Sequence, residues 1–351
     1  GKAEYKSITP ENVFFDDSKV CFFNLYLDRK GKKTEASFKR TFHDLHYFTR
    51  VYLGEDYFIR EKQLTFIIPQ SLSRFHLTEK NFSPAIHCER SINSAGDSVF
   101  TYIVTNMSAM KDEKQMPATG KVYPHILITG SFKDYHDMYC WSNKLAQVDC
   151  NVPEINILLA KITAGCHTDM GKIRNTYAWV QQNIRYIAFE AGILGHRPDT
   201  PAEVLRKRYG DCKGMSLLLR TLLKAQGFDA RLTDIGTIDI PYRMSEIATL
   251  ASANHMICSL IYQGKTYYLD ATNEYIPLEF IPESIQGREA MIENGEECIV
   301  QTVPILDSSA STDSLYYTCT LSGEQTDRVL QGKATRSWSG DYERILPHSL
   351  S

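Results

Sequence analysis

The spacing of apolar residues changes character near Phe132, and that change sets the broad plan of the chain. Before it, short apolar and aromatic runs recur: Val20-Cys21-Phe22-Phe23-Asn24-Leu25-Tyr26-Leu27, Leu64-Thr65-Phe66-Ile67-Ile68 and Val99-Phe100-Thr101-Tyr102-Ile103-Val104. Turn chemistry separates them, as in Asp28-Arg29-Lys30-Gly31 and Ser94-Ala95-Gly96-Asp97. Strand side chains alternate between two faces, so this pattern predicts an antiparallel sheet or sandwich rather than βαβ units. Beyond Phe132 apolar residues recur at every third or fourth position, the period of a helix with one buried face. At 351 residues the chain is long enough for more than one domain. The expectation is an α+β protein: a β-rich antiparallel unit over 1–140, an α+β unit over 141–285, and a β-rich extension over 286–351 that reads as the start of a further domain.

Within the middle unit, Pro153-Glu154 opens a helix through Ile155, Leu158, Leu159 and Ile162, closed near Gly165. Asp169 then precedes an apolar stripe of Met170, Ile173, Tyr177, Val180 and Ile184, with Trp179 beside it as a core residue. In Thr200-Pro201-Ala202-Glu203, Thr200 can cap a helix, Pro201 suits its first position and Glu203 can complete a capping box. Arg206-Lys207-Arg208 fall in that helix's last turn, where cations complement the dipole, so this basic cluster requires no anionic ligand. A second helix runs from Cys212 to Gln226, apolar at Met215, Leu218, Leu219, Leu222 and Leu223 and stopped by Gly227. A strand over 230–237, an irregular connection over 238–253 and a hairpin over 255–270 follow, with β structure again from Ile281.

Several function classes fall away. Lys and Arg number 39 against 42 Asp and Glu, a net charge of −3 without the basic excess of a nucleic-acid binder. A hydrophobic content of 43% with 23% charged residues excludes wholesale disorder. No apolar run approaches the roughly 18 residues of a membrane-spanning helix. The sequence starts Gly1-Lys2-Ala3 without an initiator Met, so an export signal would lie outside it, and a periplasmic or surface location is expected. The nine cysteines, at 21, 88, 140, 150, 166, 212, 258, 298 and 319, never form C-x-x-C, which argues against zinc ribbons and redox pairs. Most read as small buried hydrophobes. His43 and His46 could share a helical face but lack a third ligand, so they read as solvated or core-edge histidines. No ligand spacing implies a metal or an organic cofactor.

Cys212 differs from the other cysteines. It follows Tyr209-Gly210-Asp211 and begins a helix, where unpaired backbone N–H groups and the positive dipole end favour a thiolate. Those N–H groups, that of Cys212 above all, can hold an oxyanion. A cysteine at a helix start is also compatible with a purely structural role. The hairpin can supply a base. If Gln263-Gly264 form a two-residue turn, Tyr262 faces Lys265, Asp270 faces Ile257, and His255 and Asp270 become diagonal neighbours on one face. A three-residue loop would put them on opposite faces. Cys212 would then be nucleophile, His255 base and acid, and Asp270 the group orienting the imidazole. The plainer reading, a surface histidine beside a turn-proximal aspartate, stays open on spacing alone.

The segment Arg208-Tyr209-Gly210-Asp211-Cys212-Lys213-Gly214, followed by Leu217-Leu218-Leu219, resembles the nucleophile motif of bacterial transglutaminase-like proteins. Asn254-His255-Met256-Ile257 and Tyr268-Leu269-Asp270-Ala271-Thr272 resemble that superfamily's histidine and aspartate motifs, in the same order. Trp179-Val180 and Asn183-Ile184-Arg185-Tyr186 look like the helix–strand start of the same domain. The resemblance covers residues 141–285 and implies a papain-like fold, with the cysteine helix packed on an antiparallel sheet bearing histidine and aspartate. The front segment, with Met116-Pro117, Tyr123-Pro124 and Ser131-Phe132, resembles a β-rich domain of unknown function that often precedes such domains. For a second oxyanion donor, Tyr186 and Gln182 are candidates, with Gln181 beside them.

The expected function is cysteine-dependent acyl transfer through a thioester, on peptide or glutamine amides. Water as acceptor makes a protease or amidase, an amine makes a transglutaminase, and hydrolysis is the default because water is always present. A protein or peptide is the expected partner. The alternative is a non-catalytic module binding protein or glycan on the same scaffold; a third reading is an amidase on cell-wall peptides or glycoprotein linkages.

Overall fold

The computed structural model describes residues 4–7, 19–22, 28–33, 41–111, 113–188, 192–323, 328–340 and 342. At the front, β1 (Glu4–Ser7) and β2 (Lys19–Phe22) form an antiparallel pair. Residues 23–27 of the first predicted run lie outside the described residues. The strands β3 (Arg50–Tyr52), β4 (Ile59–Ile68), β5 (His76–Lys80), β6 (Ile86–Ile92), β7 (Ser98–Met107) and β8 (His125–Thr129) build two three-stranded antiparallel sheets, in the orders β3-β8-β5 and β4-β7-β6. Alternation dictates their core: Tyr102 and Val104, two apart on β7, meet Ile126 of β8 together with Leu53 and Ile59. A short helix, α1 (Thr119–Val122), precedes β8.

Helices then dominate: α2 (Tyr135–Ala146), α3 (Ile155–Ile162), α4 (Asp169–Asn183), α5 (Pro201–Lys207) and α6 (Cys212–Lys224). The sequence reading did not pick out α2, which buries only Met138, Tyr139 and Ala146 and starts where Asp134 accepts the Asp137 N–H at 2.9 Å. It runs across the boundary expected after residue 140. Helix α4 is capped one residue earlier than its first acidic residue, the Thr168 hydroxyl accepting from Gly171 at 3.1 Å. Helix α5 starts as expected, Thr200 accepting the Glu203 N–H, but the Glu203 carboxylate turns to Arg206 and Lys207 instead of closing a capping box. The basic cluster is accounted for locally: Lys207 also reaches Asp199, and the Arg208 guanidinium lies over the Trp179 ring. Two short parallel strands, β9 (Arg185–Tyr186) and β10 (Tyr209–Gly210), align Tyr186 with Gly210.

The remaining strands are β11 (Asp229–Ile235), β12 (His255–Tyr262), β13 (Lys265–Leu269), β14 (Glu289–Asn294), β15 (Glu297–Thr302), β16 (Thr312–Ser322) and β17 (Val329–Ser339). The first five make one antiparallel sheet, ordered β13-β12-β11-β14-β15. The boundary expected after residue 285 therefore falls inside a single sheet, because β14 bonds directly to β11. Helix α6 lies on this sheet; its Met215, Leu218, Leu219, Leu222 and Leu223 join Ile173, Tyr177 and Val180 of α4 and Cys258, Leu260 and Leu269 of the hairpin in one core. A bidentate pair from Arg220 of α6 to Glu293 of β14 anchors the helix further. The front sheets join this body where Leu127 of β8 packs on Ile240, Tyr242 and Ala251. Strands β16 and β17 form an exposed two-stranded ribbon, with Tyr316 69% and Tyr317 67% exposed. Among the described residues no helix is long and apolar enough to cross a membrane. The fold class is α+β.

Candidate active site

Asp211 caps α6, its carboxylate accepting the Gly214 N–H at 2.9 Å while its other oxygen pairs with the buried Lys213 ammonium. This leaves Cys212 as the first helical residue, with its sulfur at the open end of the helix. Val204 of α5 presses close: a Cβ on Gly214 would sit 3.1 Å from it, so a glycine there lets the two helices meet beside the thiol.

The hairpin has the two-residue turn. Gln263 and Gly264 both lie in the left-handed region, at φ +51° and +76°, as a type I′ turn requires. The register runs Tyr262–Lys265 through Cys258–Leu269, so Asp270 follows directly on the side that faces back toward His255. His255 Nε2 lies 2.9 Å from Asp270 Oδ2. The remaining carboxylate valences are filled by the Thr272 N–H at 3.1 Å and the Thr272 hydroxyl at 2.6 Å, both on Oδ1. Cys212 lines the same cleft as His255, and its nearness favours charge on the imidazole. Burial opposes charge on His255, but the Asp270 carboxylate, followed by the Cys212 contact, outweighs it and holds the imidazole well above its usual value. Burial likewise pushes against the Asp270 charge, yet His255 and Thr272 keep that carboxyl below its ordinary range.

Cys212 and His255 open onto a cleft of about 100 Å³ between α2, the start of α6 and the loop ahead of β12, with Asp270 buried behind the imidazole. Met138, Trp141 and Ser142 come from α2, and Asp234, Met256 and Met291 from the sheet. His196 lines it too, its ring edge-on to Trp141 with centroids 5.2 Å apart. Burial, reinforced by the Lys213 charge, pushes His196 down to about 4, so this second histidine stays neutral. Burial pushes the Asp234 carboxyl up to about 6, against the Ser142 hydroxyl at 2.7 Å and the Lys213 charge.

Tyr186 and Gln182 are not brought to the thiol. Both border a separate depression with Arg208, Ala271, Thr272 and Glu274, because the β9–β10 pairing sets Tyr186 beside Gly210 and leaves it 43% exposed. Gln181 turns inward and donates to the Ile276 carbonyl at 3.0 Å. His46 sits 2.6 Å from Asp44 and stacks on Phe132 and Trp141, a core-edge position, and His43 lies three residues ahead of it, before β3. Sequence reasoning missed Trp141, His196 and Asp234. For Asp234 a signal existed: a carboxylate in the middle of the apolar strand 230–237 is out of place unless it has a partner or a task.

Residues 157–240 match the transglutaminase-like superfamily profile. No curated protein sequence matches the chain. A crystal structure of a candidate protease from Parabacteroides distasonis superposes with a TM-score of 0.55 at 15% identity, over 73% of this chain and 47% of that one. The chain thus spans about half the length of that protein, and the likeness is one of fold. A candidate cysteine protease from Cytophaga hutchinsonii covers 82% of each chain at 13% identity with a TM-score of 0.29, too loose a superposition to bear on the fold. The chain carries a transglutaminase-like superfamily domain, and Cys212 lies inside the matched segment.

Proposed function

We propose that the protein is a cysteine-dependent acyl-transfer enzyme acting on peptide or glutamine amides, with hydrolysis as its default outcome. The observation that supports this reading is the His255–Asp270 pair at 2.9 Å, with Cys212 at the helix start lining the same cleft as His255. His255 takes the thiol proton, and the sulfur attacks the amide carbonyl carbon. The oxyanion is received by the backbone N–H of Cys212 at the start of α6. The tetrahedral intermediate collapses as His255 returns the proton to the departing amine, leaving a thioester. Water, deprotonated by His255, then attacks the thioester carbonyl and releases a carboxylic acid and the thiol. An amine acceptor in place of water gives a new amide by the same proton transfers. Asp270 holds the imidazole orientation throughout and balances its positive charge.

A peptide library assayed with and without added amines, using wild type and Cys212→Ala, tests the proposal. Cys212-dependent product in water alone identifies a hydrolase, and amine-dependent product a transferase. Absence of any Cys212-dependent product sinks the enzymatic reading and favours a module that binds protein or glycan.

A further inference from the structure

Asp234 is a half-buried carboxylate that the proposed chemistry does not use. It lies on β11, paired with Met256 on one side and Met291 on the other, and all three face the cleft that also holds Cys212. It accepts a hydrogen bond from the Ser142 hydroxyl at 2.7 Å, and among the described residues it forms no ion pair. The nearby Lys213 ammonium is taken by Asp211, its direct partner. His196 is neutral. Asp211, Lys213 and Asp234 together therefore leave one uncompensated negative charge beneath the thiol.

The cleft is shaped for one side chain. About 100 Å³ is the room of some three waters at ~30 Å³ each, and a further hollow of about 20 Å³ continues past Ser142 and Asp234. Met138, Met256 and Met291 line the way in, flexible thioethers that suit an unbranched apolar stem. Asp234 and Ser142 line both hollows.

Building on the acyl-transfer reading, we propose that Asp234 and Ser142 form the floor of a specificity pocket for a substrate side chain with an aliphatic stem and a cationic amine tip, as in lysine. The amine completes the charge balance that the protein leaves open, and the stem displaces water from the methionines. An acidic side chain meets the Asp234 charge and is rejected.

The test is binding to Cys212→Ala, which needs no chemistry. The probes are acetyl-blocked lysine, norleucine and glutamate amides, measured by calorimetry. Lysine should bind about tenfold tighter than norleucine or more, as a charge-assisted hydrogen bond implies, and glutamate weaker than norleucine. Asp234→Asn in the same background should erase the lysine advantage. Equal binding of lysine and norleucine, an advantage that survives Asp234→Asn, or binding of none of the three overturns the proposal. Should Asp234→Asn fail to fold, the ligand series decides, and glutamate binding as well as lysine overturns it. Iodoacetamide labelling of the unmutated protein reads the thiol separately: a sluggish Cys212 defeats the acyl-transfer reading without touching the binding series.

Discussion

The hydroxyl of Tyr177, in the middle of α4, donates to the backbone carbonyl of Asp270 at 3.0 Å and ties a core helix to the end of the hairpin. The bond is buried, and Tyr177→Phe removes the shorter of two donors to that carbonyl, which keeps the Asn273 N–H at 3.3 Å, at a cost of about 0.5–1.5 kcal/mol. Asp270 is also freed to drift from His255. Denaturant unfolding should show the lost stability, and Cys212 alkylation should slow in the folded variant. Unchanged alkylation would mean that Thr272 alone suffices to fix the carboxylate.

Asp270→Asn tests the charge pairing directly. The raised His255 value contributes stability that is full below its ordinary 6.5 and is lost as the pH rises through the folded value. The lowered Asp270 value contributes stability that is full above its ordinary 3.8 and is lost as the pH falls through the folded value. The stability gap between wild type and Asp270→Asn should therefore be widest between these two ordinary values and narrow on either side. By NMR the His255 ring should titrate above 6.5 in wild type and at lower pH in the variant. A His255 titration unmoved by the substitution would refute the assignment.

Among the nine cysteines, Cys212 should alkylate first at neutral pH. Cys258 is the natural contrast, since burial pushes its thiol up to about 12, and Cys298 is held at about 11, again chiefly by burial. Peptide mapping after brief iodoacetamide treatment reads the order, and even labelling across the set removes the claim of an activated thiol.

Gly236 closes β11 just before the connection that leads to His255. A Cβ there would lie 2.6 Å from the Ser252 carbonyl oxygen, a backbone atom that cannot swing away. Gly236→Ala should cost roughly 1–3 kcal/mol and displace the segment carrying Asn254 and His255, lowering Tm and activity together. An alanine variant of wild-type Tm would show that the connection has room to yield.

Arg220→Met probes how α6 is seated. It strands Glu293, which also accepts the Leu232 N–H at 3.0 Å, and both partners of the pair are about 15% exposed. The loss is on the order of 3 kcal/mol. The double variant with Glu293→Met should recover much of it; if it does not, the pair is worth more than its geometry implies.

The hairpin was legible in the sequence because Gln263-Gly264 suits a two-residue turn, and the register that turn sets puts Asp270 within reach of His255. The α6 helix was legible from its leucines and the glycine that stops it. What escaped was the opposite wall of the cleft. Helix α2 spends much of its inner face on Trp141 and Ser142, which face a cavity rather than a packed core, so its apolar pattern is thin. Tyr186 and Gln182 misled for the converse reason: closeness along the chain to a cysteine helix says nothing about which side of it they face. Asp211, in the sequence only a member of the run ahead of Cys212, both caps α6 and anchors Lys213.

The chain separation of the three site residues has a kinetic consequence. Helix α6 and the β12–β13 hairpin each form from local contacts, within microseconds for elements of this size. In the folded chain they meet across a sheet in which β11 pairs with β12 on one side and β14 on the other. Because nucleophile and base lie on separate elements, a chain in which α6 and β12 are apart keeps its thiol without its base, so the reactivity of Cys212 reports that the two have docked.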